Sequence, residues 1–265
     1  MPIDSESGFI WKLLWKIILT PIVLFGAIFG KREFKELFEP IRYFLEVLFQ
    51  AKVTIALIII NIGMFIASMF MNKNVLDGLI NQSTDLFSTH IYTIITAGFL
   101  HASIGHLLGN MLALLIFGRV VERELGEGKT LLIYFGALII SGIFSSLIYM
   151  FILDENIAAV GASGAVMGLV SAAALLKPWY ITFEALIPLP IMVVSWLTIF
   201  LDITGVLNHT TDGIGHFAHL GGYLSIAVLV FLLEQSRREQ IKKGFITNIA
   251  SILVIGILAK ILKII

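Results

Sequence analysis

The stretch "AVGASGAVMGLV", residues 159–170, sets one hydroxyl among small and apolar residues in a segment suited to lipid. Ser163 lies between Gly161 and Gly164. Gly164 and Gly168 form a G-x-x-x-G pair, and Gly161 and Ala165 repeat the spacing, a pattern that normally marks close helix packing in membranes. Packing is therefore the default reading of this serine. A nucleophile would need partners elsewhere in the chain.

Composition frames the question. Of 265 residues, 58% are hydrophobic and 14% charged, and the mean hydropathy is +0.97. Soluble domains average about 45–50% apolar and about 25% charged residues. The chain reads as an all-α polytopic membrane protein. Its formal net charge is zero, so no global field recruits nucleic acid. The absence of cysteine removes disulfides, thiolate catalysis, iron–sulfur clusters and cysteine-based zinc sites.

A membrane-spanning helix needs roughly 20 mostly apolar residues. By that measure spans are predicted at roughly 53–71, 104–121, 130–152, 160–176, 183–203, 214–233 and 245–263. The fifth is interrupted early by Pro188 and Pro190. Residues 9–29 place Lys12 and Lys16 one turn apart with Trp11, Trp15 and Ile18 on an adjoining face, which suits a helix lying in the interface, with a spanning helix as the alternative. This divides the chain into an N-terminal region with an amphipathic helix (1–52), a six-span core (53–233) and a linker with a seventh span (234–265). Lysine and arginine gather before the first span, between the second and third, between the fourth and fifth and between the sixth and seventh. The positive-inside rule then makes the N-terminus cytoplasmic and turns residues 72–103, 153–159 and 204–213 outward. An acid-poor, Arg/Ser-rich leader is not evident, which favours a prokaryotic plasma membrane over an organelle.

Polar side chains inside a membrane are rare and usually face an interior cavity. All six histidines fall in the outward loops or the outward parts of spans. On the second span His106 and Asn110 are four residues apart and share a face. On the sixth, His219 stands in "GHFAHLGG" beside Gly221 and Gly222. A serine, a histidine and an amide–imidazole pair at similar depth suffice for acyl transfer: a nucleophile, a base that titrates in the useful range, and donors for an oxyanion. No acidic residue lies near His219 in sequence at the right depth; Asp212 is seven residues before it, in the loop, and Asp202 sits near an outer end. A Ser–His dyad is the expectation. No H-E-x-x-H motif is present, and His101 and His106, five apart, have no accompanying carboxylate, so neither a metal nor a cofactor is expected.

These residues resemble the rhomboid family of intramembrane serine proteases. "FLHASIGHLLGNM" (99–111) is similar to its H-x-x-x-N helix, "VVERELGEGK" (120–129) to the turn that follows, "GASGAVMG" (161–168) to its G-x-S-G motif, and "AHLGG" (218–222) to its A-H-x-x-G motif. The order also agrees. The resemblance implies a six-helix bundle with one extra C-terminal transmembrane helix. It implies Ser163 as nucleophile, His219 as general base and acid, and His106 and Asn110 at the oxyanion site. Gly161, Gly164 and Gly222 would allow close packing there, Gly222 letting the sixth helix approach the fourth, and Glu122 would be structural.

The implied substrates are single-span membrane proteins in the lipid bilayer, entering past Trp196 and Phe200; no oligomeric state is implied. Two departures stand out. Tyr92-Thr93 replaces a common Trp-Arg pair of the first outer loop, which puts the folding of that loop in question, and Met167 takes an often aromatic position. The rival readings are a non-proteolytic relative that binds membrane proteins, and a transporter. The second would need deep charges or inverted repeats, which are not evident.

Overall fold

The computed structural model describes residues 6–184, 187–208 and 213–261, so His209 and Asp212 lie outside the described residues. The fold is mostly helical. Helices α1 (Glu6–Ile28) and α2 (Glu39–Leu48) precede α3 (Lys52–Ser68). Then come α4 (Ile104–Leu125), α5 (Glu127–Leu153), α6 (Ser163–Leu176), α7 (Ile191–Leu207), α8 (His216–Leu232) and α9 (Gln235–Ile261). Two two-residue strands, β1 (Asn81–Gln82) and β2 (Ala158–Ala159), pair antiparallel, as do β3 (Ile181–Glu184) and β4 (Ile187–Pro190).

By length and composition α4 and α5 can each cross a membrane. The segment Trp15–Ile28 and helices α3, α6, α7 and α8 are apolar but shorter, at 10–17 residues. Helix α6 is the centre of the packing. Its 14 residues include Gly164, Ala165, Val166, Gly168, Leu169, Val170, Ala172, Ala173, Ala174 and Leu176, all buried. Such burial is possible because small side chains let neighbours close in from several sides. A Cβ on Gly168 would overlap the Ala137 methyl of α5, and one on Gly164 would overlap Ser141 of the same helix. On the other flank a Cβ on Gly222 of α8 would overlap the Gly164 carbonyl oxygen.

Where the structure departs from the predicted spans, backbone chemistry explains it. Residues expected to begin the fifth span form the β3–β4 hairpin, with Phe183 opposite Pro188 and Ile181 opposite Pro190. Proline lacks an N–H and its ring clashes with a preceding helical turn, so the helix starts only at Ile191. Helix α6 starts at Ser163 because Gly161, at φ +129°, turns the chain into it. Helix α9 starts at Gln235, so Arg237, Arg238, Lys242 and Lys243, expected in a linker, are helical. In α1, Lys16 of the predicted interfacial face pairs with Glu39 of α2 at 3.1 Å.

The basic loops meet at one end of the molecule. Lys177 and Arg237 approach Glu124 at 3.2 and 3.9 Å, Lys52 approaches Glu127 at 3.7 Å, and Lys129 donates to the Leu232 carbonyl. At that end Glu122, buried between α4 and α3, accepts from the Val53 and Thr54 amides at 2.9 and 2.8 Å and from the Thr54 hydroxyl at 2.7 Å. The first amides of a helix have no intrahelical acceptor, and an anion there also meets the favourable end of the helix dipole. Glu122 thereby seats α3.

Candidate active site

Ser163 is the first residue of α6, at the end opposite Lys177. Gly161 holds it there: its amide donates to the Ala97 carbonyl at 2.9 Å. A Cβ on Gly161 would stand 2.6 Å from His106 Cε1, 2.8 Å from His106 Nε2 and 3.6 Å from Asn110 Nδ2. Both the positive φ and the imidazole therefore demand glycine at 161. The same distances bring the serine turn against the α4 face that carries His106 and Asn110.

Helix α4 begins at Ser103, whose hydroxyl caps it by accepting from the His106 amide at 3.1 Å. One turn after Asn110 the helix widens into a π-helical turn over Leu114–Gly118, a feature frequent near functional sites. Asn110 is 7% exposed, and among the described residues its Nδ2 is buried without a hydrogen-bond partner. His101, also 7% exposed in the turn before α4, lies edge-on to His106 with ring centroids 5.1 Å apart. Burial, and next the neighbouring His106, push its pKa down to about 4.

His219 lies in the first turn of α8 and is within electrostatic reach of His106. The flanking residues fix its orientation to α6: a Cβ on Gly164 would stand 3.5 Å from the Ala218 carbonyl oxygen, and Gly222 packs on Gly164. Met167, one turn after Ser163, lies under Gly222. The structure thus brings Ser163, His219, His106 and Asn110 to one end of the bundle, with Gly161, Gly164 and Gly222 at the contacts.

The expectation that no carboxylate lies near His219 is corrected by the fold. His219 Nδ1 is 2.9 Å from Asp202 Oδ1, and His216 Nδ1 is 2.8 Å from the same oxygen. Asp202 is 17 residues upstream on α7, so scanning the sequence around His219 missed it. The available signal was an acidic residue within an apolar helix, which usually marks an interior role.

Two other expectations concern the loops. At the Tyr92-Thr93 departure, the Tyr92 hydroxyl donates to the Gly78 carbonyl at 3.1 Å. The Thr93 hydroxyl lies 3.1 Å from Asn81 Oδ1 and 3.2 Å from Asp85 Oδ2. The loop is thus tied to β1 without the Trp-Arg pair. Of the two expected entry residues, Phe200 is exposed, whereas Trp196 donates to Asn248 Oδ1 of α9 at 2.8 Å. Chemically, the arrangement offers a hydroxyl at a helix N-terminus, an imidazole backed by a carboxylate, and the unpartnered Asn110 amide beside the serine turn. No group of metal-ligating side chains occurs among the described residues.

Residues 88–236, more than half of the chain, match the rhomboid domain family. The chain belongs to the rhomboid family. It is 32% identical over 205 residues to Rhomboid-like protein 11, chloroplastic, of Arabidopsis thaliana, covering 71% of this chain and 69% of that protein. To RHOMBOID-like protein 12, mitochondrial, of the same plant it is 29% identical over 211 residues, covering 74% and 62%. A third relative, Inactive RHOMBOID-like protein 8, is 31% identical over 137 residues, covering 51% and 36%. Rhomboids are integral membrane proteins and generally serine proteases, with inactive members among them. The first two relatives are named for organelles, against the expectation of a prokaryotic membrane.

Proposed function

We propose that this rhomboid is an intramembrane serine endopeptidase acting on single-span membrane proteins near the outward membrane boundary. The observation that carries the reading is Asn110 Nδ2, a buried donor without a partner beside the Gly161–Ser163 turn. Leaving a buried donor unpaired costs about 1–3 kcal/mol, so such a group calls for a ligand. An oxyanion formed at Ser163 is that ligand.

The chemistry runs in two stages. Ser163 Oγ attacks the scissile carbonyl carbon as its proton passes to His219 Nε2. The carbonyl oxygen takes up the negative charge and accepts hydrogen bonds from Asn110 Nδ2 and from His106. As the tetrahedral intermediate collapses, the C–N bond breaks and His219 returns the proton to the leaving amine. Water, deprotonated by His219, then attacks the acyl carbon; the bond to Ser163 Oγ breaks as His219 returns the proton to that oxygen, and the carboxylate product leaves. No cofactor is required.

Seven crossings with a cytoplasmic N-terminus suit this reading, since the basic loops cluster at one end and Ser163 lies at the other. Helix α6 has 14 residues, about 21 Å of helix. The hydrocarbon layer is about 30 Å thick. A helix that short, reaching the inner boundary with Lys177, leaves Ser163 below the outer surface, where polar side chains can admit water. A substrate helix must unwind there, because a helical carbonyl is hydrogen-bonded and shielded.

The test is labelling by a fluorophosphonate probe. The wild-type protein should label and Ser163→Ala should not. Absence of labelling in the folded wild type would favour the non-proteolytic membrane-protein binding reading, for which the relative named inactive is a precedent.

A further inference from the structure

Asp202 is 4% exposed, and one of its oxygens faces two imidazoles, at 2.8 Å from His216 Nδ1 and 2.9 Å from His219 Nδ1. An ionised carboxylate only accepts, so with Asp202 ionised both Nδ1 atoms would donate to it and a neutral His219 would keep its lone pair on Nε2. That is the tautomer a general base needs. The place of the second imidazole is built in as well: a Cβ on Gly205, three residues along α7, would overlap the His216 ring.

We propose that Asp202 is a positioning residue that holds His219 as the Nε2-basic tautomer, and that His216 shares the same carboxylate oxygen and so sets how strongly it supports His219. The proposal rests on the reading of Ser163 and His219 as nucleophile and base. When Ser163 gives its proton to His219 Nε2, the imidazolium forms against the carboxylate and is stabilised by it. Asp202 stays ionised throughout and takes no proton. His216 draws on the same oxygen, and the charge available to His219 is what remains.

The other titratable groups around the pair come from several elements. His106 on α4 is within electrostatic reach of His219, and Tyr149 on α5 stacks edge-on against Phe217 between the two histidines. Ser163 stands at the start of α6, and Tyr223 on α8 is within electrostatic reach of Asp202. Among the described residues, Asp202 is the carboxylate within hydrogen-bond distance of His219.

The test is the rate of fluorophosphonate labelling from about pH 5 to 9, the window in which histidine titrates, on purified full-length protein. Asp202→Asn should label up to roughly 10⁴-fold more slowly than wild type, the loss expected when a serine protease loses the carboxylate behind its histidine. His216→Phe keeps a ring against Gly205 but removes the competing donor. It should still label, with a pH profile displaced from that of wild type, because His219 then has the carboxylate to itself.

A purely structural Asp202 would lower the melting temperature yet leave the profile of the folded fraction in place. Wild-type rate and profile in Asp202→Asn, with Ser163→Ala unlabelled, would overturn the proposal and leave the nucleophile standing. Labelling of Ser163→Ala would instead remove the reading beneath it. Where Asp202→Asn does not fold, an unshifted pH profile in His216→Phe overturns the proposal by itself.

Discussion

Gly222 has no room for a side chain, since its neighbour across the helix contact is the Gly164 backbone and not a flexible side chain. Gly222→Val must push α8 away from α6. We predict a loss of about 1–3 kcal/mol, the usual range for overpacking, visible as a lower thermal midpoint in detergent, together with loss of probe labelling. An unchanged midpoint would show that the contact is not tight. Asn110 carries the opposite kind of prediction, chemical and not structural. Asn110→Ala should lower the cleavage rate by roughly 10²–10³ if Nδ2 holds the oxyanion; a rate within a few-fold of wild type would transfer that role to His106 and the backbone.

His101 supplies a pH dependence. Its pKa falls from an ordinary 6.5 to about 4 in the folded protein, chiefly through burial. Between those values the unfolded chain binds a proton that the native one refuses, so stability is full above about pH 6.5, is lost as pH falls through that window, and levels off below it. His101→Gln should flatten this part of the stability profile. Identical wild-type and variant profiles from pH 7 to 4 would contradict the assignment.

At the scale of elements, Glu122 shows how a single side chain anchors a helix. Its carboxylate accepts from two main-chain amides and a hydroxyl at the start of α3. Hydrogen bonds to a charged group contribute about 1.5–3 kcal/mol each in mutational series, with incomplete additivity. Glu122→Ala should therefore cost about 2–4 kcal/mol, and Glu122→Gln less, because an amide oxygen still accepts. Thermal denaturation of both variants checks this, and equal stability of Glu122→Ala and wild type would refute it.

The same scale shows what could be read in the sequence. His106 and Asn110 share a face because their spacing is local to one helix, and the glycines around Ser163 declare close contact before any partner is known. The β3–β4 hairpin was hidden because its apolar residues run on into the helix that follows, and hydropathy does not distinguish extended from helical backbone. The prolines were the signal, and they mark the boundary. The pairing of Asp202 with His219 was illegible for a different reason. It joins two helices, and neither spacing nor periodicity within one helix reports a neighbour on another.

For the whole molecule, the ends differ in charge and in chemistry. Lys177, Arg237 and Glu124 meet at one end, and the Ser163 turn, the β1–β2 pair and the Tyr92-Thr93 loop gather at the other. The distribution of lysine and arginine predicts that these groups share one side, and Lys177 and Arg237, from two of the groups, meet at Glu124. The number of crossings was less legible. Helices α3, α6, α7 and α8 have 17 residues or fewer, so length does not mark them as it marks α4 and α5. In the proposed reading, the shortness of α6 is what recesses Ser163.

The central claim is that this fold cuts a peptide bond with Ser163. Its most direct measurement is the cleavage of a tagged single-span membrane protein by the purified full-length chain in lipid vesicles, beside Ser163→Ala. The account predicts a product cut near the outward boundary with wild type and none with the variant. Equal cleavage by the two proteins would contradict it.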